Sequence, residues 1–165
     1  MHIEEKDGRL AVVDFNEFGA YKIASKIESD GMRFYQDLQN KAKRDIIKSM
    51  AAMLADEEKR HLRFFESSLS RLQQEGEDEF EEDDILRSID YGIFTSGQQT
   101  QDVESLLNDP SKTVRFAIGV ESKTIQFYES CKECITDIRV KEELDNIIEE
   151  EKKHKRMLEE LLKKL

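Results

Sequence analysis

Residues 47–72 read IKSMAAMLADEEKRHLRFFESSLSRL, and the spacing of the apolar positions in this stretch decides the fold. Ile47, Ala51, Leu54, Phe65, Leu69 and Leu72 recur in steps that one face of an α-helix requires. Between Leu54 and Phe65 the same face carries Glu58 and His61, where a buried stripe would normally continue with leucine. At 3.6 residues per turn, Glu58 and His61 sit one above the other. A helix that buries its apolar face therefore buries a carboxylate and an imidazole with it.

The same pattern extends in both directions. A helix over about 14–43 carries Tyr21, Ala24, Glu28, Met32, Tyr35 and Leu38 on one face, and the second runs over about 44–75. A third opens at Asp109-Pro110, a capping residue followed by the residue best tolerated at a first helical position. It covers about 109–135, with Val114, Ala117, Glu121, Ile125, Tyr128, Cys131 and Ile135 in its stripe. The fourth, about 137–164, carries Leu144, Ile147, Glu151, His154, Leu158, Leu162 and Leu165 along one face, the last just past its end. Helices one and two, and three and four, are separated by very short turns, so each pair is expected to be an antiparallel hairpin. A connector over about 76–108, with a short helix expected within 84–94, is long enough to cross from one end of a bundle to the other. The predicted architecture is all-α, a single domain over 1–165: two hairpins joined by one crossover.

The two hairpins repeat one another. IESDGMRFYQ at 27–36 resembles VESKTIQFYE at 120–129, and EEKRH at 57–61 matches EEKKH at 150–154. One offset of 93 residues relates Glu28 to Glu121, Tyr35 to Tyr128, Glu58 to Glu151 and His61 to His154. A constant offset through both helices predicts two equivalent halves about a pseudo-twofold axis.

Composition excludes several classes. The 165 residues are 38% hydrophobic and 38% charged, with no Trp, one Pro and seven Gly, which is too few turn residues for a sandwich or barrel. The net charge of −11 is mostly local, because residues 75–84 (EGEDEFEEDD) contribute eight negative charges and no positive one. Such a run reads as a solvated, self-repelling loop. No basic cluster offers a face to phosphates, so nucleic acid is not an expected partner. No apolar run approaches the ~20 residues that span a bilayer, and MHIEEKDGRL lacks the order of a signal peptide, so the expected setting is cytoplasmic without membrane association. Cys131 and Cys134 are the only cysteines, too few for a disulfide scaffold or a four-thiolate metal site.

Four glutamates and two histidines thus occupy positions that should be apolar. Glutamate is common here, at 23 residues, so one Glu-x-x-His would carry little weight. Of only three histidines, however, two have this neighbour, both lie on apolar stripes, and both recur at one offset with the lone Glu28 and Glu121. Burying four unpaired carboxylates would cost several kcal/mol each. Two histidines cannot neutralise four carboxylates, whereas two divalent cations can, with neutral imidazoles completing the ligand set.

Glu28, Glu58-x-x-His61, Glu121 and Glu151-x-x-His154 resemble the carboxylate-bridged dimetal site of the ferritin-like superfamily. The strings I-E-x-x-G-x-x-F-Y around Glu28 and E-E-x-x-H on helices two and four are most similar to rubrerythrins. The resemblance covers all four helices and implies a ferritin-like four-helix bundle. It also implies that Glu58 and Glu151 bridge two metals, that Glu28 and Glu121 each bind one terminally, and that each histidine supplies one nitrogen. Oxygen-rich ligation with one imidazole per metal suits iron or manganese, and zinc would also bind.

The chain departs from rubrerythrins in two respects. Where those proteins usually carry a further helix-three glutamate, this chain has Thr124, which is no carboxylate ligand. The four cysteines of a rubredoxin domain are also absent from the sequence, so electrons are expected from an external donor.

Tyr35 and Tyr128 lie two turns beyond Glu28 and Glu121, about 10 Å along the axis, too far to partner the glutamate of their own helix. They could donate to ligands on neighbouring helices or simply fill the core. Cys131-x-x-Cys134 reads as two small core residues, with a transient disulfide as the alternative, and Gly31 and Gly119 are expected to permit close helix approach.

The function implied is a diiron oxidoreductase that oxidises Fe(II) and reduces hydrogen peroxide or dioxygen, with no catalytic residue apart from the metal ligands. Its expected assembly is a homo-oligomer, a dimer before a shell. The alternatives are an iron-binding or storage subunit, a metal-stabilised structural bundle, or an oxygen-dependent hydroxylase.

Overall fold

The computed structural model describes residues 2–6, 9–13, 17–74, 109–133 and 135–165. Four helices form the body: α1 (Glu17–Lys41), α2 (Asp45–Gln74), α3 (Pro110–Cys131) and α4 (Ile138–Leu162). Helices α1 and α2 pack along their length as one hairpin, and α3 and α4 as the other. The architecture is the four-helix bundle expected from the stripes. The acidic connector and the short helix expected within 84–94 lie outside the described residues, as does Cys134.

The helix ends follow from local chemistry. Asp109 caps α3, its side chain accepting from the backbone N–H of Ser111 at 3.0 Å and of Lys112 at 3.2 Å, with Pro110 at the first helical position. Asp137 caps α4 by accepting from Arg139 N at 2.9 Å. Helix α3 ends at Cys131, four residues before the expected Ile135. Ile135 is nevertheless buried, so the apolar stripe runs past the end of the helix. Periodicity reports which residues are buried, and here burial continues into the turn.

A β-hairpin, β1 (His2–Lys6) and β2 (Arg9–Val13), precedes the bundle, with β2 lying against α3. The strands pair antiparallel, His2 opposite Val13 through Lys6 opposite Arg9. The sequence reading contained no strand. The intervening Asp7-Gly8 is nonetheless the dipeptide that two-residue hairpin loops favour.

The apolar interior falls into two clusters. One gathers Phe18, Tyr21, Ile27, Phe65, Leu72, Ile125, Tyr128, Leu144 and Ile147, and the other Tyr35, Leu38, Ile47, Leu54, Val114, Ala117 and Leu158. Each draws on all four helices. On α1, α2 and α4 the stripe glutamate falls between residues of one cluster and those of the other, and on α3 Glu121 directly follows Val120 of the first, so a polar layer is held between two apolar plugs. Among the described residues, no helix is long and apolar enough to cross a membrane.

Candidate metal centre

Each helix contributes one glutamate to this layer: Glu28 from α1, Glu58 from α2, Glu121 from α3 and Glu151 from α4. His61 and His154 join them from α2 and α4. All six are at most 5% exposed, which removes water as an alternative partner for their charges. Ligand-type atoms of Glu28, Glu58, His61 and Glu151 lie within 4.8 Å of one another, and so do those of Glu58, Glu121, Glu151 and His154. The two groups share Glu58 and Glu151.

Both imidazoles present Nδ1 to the cluster. His154 Nδ1 lies 3.0 Å from Glu151 Oε2. His61 Nδ1 lies 3.0 Å from Glu151 Oε1 and 3.5 Å from Glu28 Oε2, out of hydrogen-bond alignment with either. Buried side-chain atoms without a hydrogen-bond partner are rare in folded proteins. Three of them converge here: Glu28 Oε2, His61 Nδ1 and Glu151 Oε1. Two carboxylate oxygens and a ring nitrogen converging without hydrogen-bond geometry between them are the donor set of a cation site. The two rings stack with centroids 6.1 Å apart.

The titration of the metal-free cluster shows the same demand for positive charge. Burial, with the neighbouring Glu28 and Glu151, holds the Glu58 carboxyl well above the ordinary range, and burial with Glu151 does the same to Glu121. Burial opposes ionisation of Glu151 too, but the hydrogen bond from His154 and the adjacent His61 ring outweigh it and hold that carboxyl low. Burial likewise opposes a charged His61, yet Glu151 and Glu28 push it up to about 11. Protons on Glu58, Glu121 and His61 therefore do in the metal-free protein what two cations would otherwise do.

The tyrosines act across the bundle. Tyr35 of α1 donates its hydroxyl to Glu121 of α3, and Tyr128 of α3 donates to Glu28 of α1. Neither bonds the glutamate of its own helix, and the two bonds are reciprocal under the repeat. Burial first, then the adjacent carboxylates, raises both phenols well above their ordinary value, so each stays a hydrogen-bond donor.

Of the two glycines, only Gly31 answers to the expected close approach. A Cβ there would lie 3.1 Å from Glu58 Cδ, whereas one at Gly119 would meet nothing within 4 Å. Among the described residues, the side of α3 on which Gly119 lies is open. Thr124 is buried on α3 one turn after Glu121, and Cys131 is buried at the end of that helix.

Three residues at the edge of the cluster were not anticipated. Glu150 Oε2 lies 2.9 Å from His61 Nε2, and Arg60 reaches both Glu150, at 2.6 Å, and Glu57, through Nε at 3.1 Å. The doubled glutamates Glu57-Glu58 and Glu150-Glu151 were the available signal. Periodicity assigns only the second of each pair to the buried stripe and leaves the first to a solvated flank.

The family model described as Rubrerythrin matches residues 21–162. Among solved structures, the chain is similar to one described as a ferritin-like diiron-carboxylate protein from Thermotoga maritima. That match has a TM-score of 0.64 at 23% sequence identity and covers 90% of this chain and 95% of the other. At that identity the likeness carries the fold, which is the ferritin-like bundle. No curated protein sequence matches the chain.

Proposed function

The chain belongs to the rubrerythrin family, and from that premise we propose that it is a dimetal carboxylate protein whose native metal is iron. Its proposed reaction is oxidation of Fe(II) with reduction of hydrogen peroxide or dioxygen, using an external electron donor. The observation that carries this reading is the pair of overlapping ligand groups that share Glu58 and Glu151. Shared carboxylates suit bridging positions, which leaves Glu28 with His61 for one metal and Glu121 with His154 for the other. Manganese or zinc would fit the same donors.

A pair of iron ions held there would supply two electrons which, with two protons, convert one hydrogen peroxide into two water molecules. The protein's own residues hold and shape the site. Glu58 and Glu121 keep their protons until cations displace them. Tyr35 and Tyr128 fix one oxygen each of Glu121 and Glu28, and the second oxygen of Glu28 has no hydrogen-bond partner and could face a metal. The two apolar clusters limit the approach of bulk water, which favours small oxidants over larger substrates.

The test is metal content, followed by anaerobic Fe(II) loading and rapid mixing with peroxide or oxygen while near-ultraviolet Fe(III) absorption is recorded. Two irons per chain, oxidised faster by peroxide than by oxygen, is the expected result. Glu58→Ala and His154→Ala should each lose one or both metals together with the oxidation. Activity surviving both substitutions would overturn the ligand set. Faster oxidation by oxygen, with a light-scattering mass many times 19.3 kDa rather than that of a dimer, would move the assignment to iron storage.

A further inference from the structure

The cluster follows its internal repeat closely, with Glu28 and Glu121, Glu58 and Glu151, the histidines and the tyrosines in matching places. It breaks the repeat at the histidines: His61 Nδ1 faces Glu28 and Glu151 across the bundle, whereas His154 Nδ1 faces Glu151 of its own helix, and their outer nitrogens differ too. Glu150 Oε2 meets His61 Nε2 at 2.9 Å. By the offset of 93 residues, Glu57 is the counterpart of Glu150 and should stand to His154 as Glu150 stands to His61. It does not. Glu57 is taken by Arg60, and His154 Nε2 has no hydrogen-bond partner among the described residues.

The difference has a chemical cause in the sequence. Position 60 is Arg, while its counterpart is Lys153. A guanidinium is a planar fork that can hold two carboxylates at once, and Arg60 does so, reaching Glu57 on its own helix and Glu150 across the bundle. Lys153, a point charge on a flexible stem, offers no such fork. Glu150 is thereby held against one histidine, while Glu57 is drawn away from the other.

We propose that Glu150, anchored by Arg60, is a positioning residue for His61 that makes the two metal positions unequal, the one beside Glu28 and His61 being the tighter. The inference rests on the dimetal reading of the site. A neutral imidazole carries its hydrogen on one nitrogen only. With Nε2–H held by Glu150, the proton that an incoming metal displaces from His61 is the one on Nδ1, the nitrogen already turned toward Glu28 Oε2 and Glu151 Oε1. Among the described residues, the one hydrogen-bond partner of the His154 ring is Glu151 at Nδ1, so a metal there must select its tautomer as it binds.

The test is stepwise Co(II) titration of the metal-free protein, followed by calorimetry and by Co(II) visible absorption. Wild type, Glu150→Ala, Glu150→Gln and the matched control Glu57→Ala are compared, with circular dichroism to confirm that each is folded. Wild type should take up two Co(II) in two distinguishable steps. Glu150→Ala should weaken the tighter step by about 10- to 100-fold, the usual effect of removing the partner of a ligating histidine. Glu150→Gln should lose less, because its amide oxygen still accepts from Nε2–H. Glu57→Ala should leave both steps in place. Two Co(II) bound in one indistinguishable step, or Glu57→Ala acting as Glu150→Ala does, would overturn the inference and leave the dimetal reading standing. No Co(II) uptake by wild type would overturn that reading and the inference with it.

Discussion

Glu28 and Glu121 are each held by a tyrosine from the opposite hairpin, and that bond is the smallest unit on which the cluster depends. Tyr128→Phe removes the phenolic donor to Glu28 Oε1, in a residue whose other oxygen is already without a partner. Leaving a buried acceptor unsatisfied costs about 1–3 kcal/mol. Tyr128→Phe should therefore lower the denaturant midpoint of the metal-free protein by that much, and Tyr35→Phe should act alike through Glu121. An unchanged midpoint in both variants would show that the hydroxyls are dispensable. The sequence reading excluded a bond within one helix from rise per residue alone. Which glutamate each tyrosine reaches depends on how the hairpins face each other, and no local spacing contains that.

At the level of the helix, two glycines one turn or less from a ligand behave in opposite ways. Gly31 leaves room for the Glu58 carboxylate, and a methyl group there would press on it at 3.1 Å. Gly31→Ala should displace Glu58 and weaken both metals, since Glu58 belongs to both ligand groups. Gly119→Ala meets nothing, so it should stabilise α3 by about 0.5–1 kcal/mol, the ordinary gain of alanine over glycine inside a helix. Thermal melts together with metal stoichiometry of the two variants check the pair. A destabilised Gly119→Ala, or a Gly31→Ala with full metal content, would contradict this account. From sequence the two positions looked equivalent, because each lies near a stripe glutamate. Their difference is set by which neighbour packs against each helix face.

For the whole molecule, the charge in the cluster links stability to pH. In the metal-free fold Glu58 and Glu121 keep protons that the unfolded chain loses above about 4.5, so the native state binds more protons and stability falls as pH rises. His61, pushed up to about 11, adds in the same direction: its contribution is full below 6.5 and is lost as pH climbs toward 11. Glu151, held low, contributes above its ordinary value and loses that only in acid. Between pH 5 and 9 the raised groups outnumber the lowered one. The melting temperature of the metal-free protein should fall across that range. Cations that displace those protons bind more tightly as pH rises, so the gap between metal-loaded and metal-free melting temperatures should widen. Calorimetry with and without Co(II) at several pH values measures both. A metal-free melting temperature that rises toward pH 9 would refute the assignment of protons.

Helix content, the pairing into hairpins and the six polar residues of the stripes were legible along the chain, because each depends on spacing within a single helix or on one offset between two. Glu28, Glu58, His61, Glu121, Glu151 and His154 stand out since a carboxylate or imidazole on an apolar stripe violates the rule that makes the stripe visible. The amino-terminal hairpin does not show in the helical periodicity, because strand pairing is a contact between segments, although Asp7-Gly8 signals it. The early end of α3 was hidden because Ile135 is buried whether or not it is helical. The sharing of Glu58 and Glu151 between two ligand groups required the four helices in place, as did the crossed tyrosines and the capture of Glu150 by Arg60 and His61. Those features are distances between side chains about 90 residues apart in sequence, set by how ridges of one helix settle against another. Periodicity tells each residue which way to face, and packing alone chooses what it meets there.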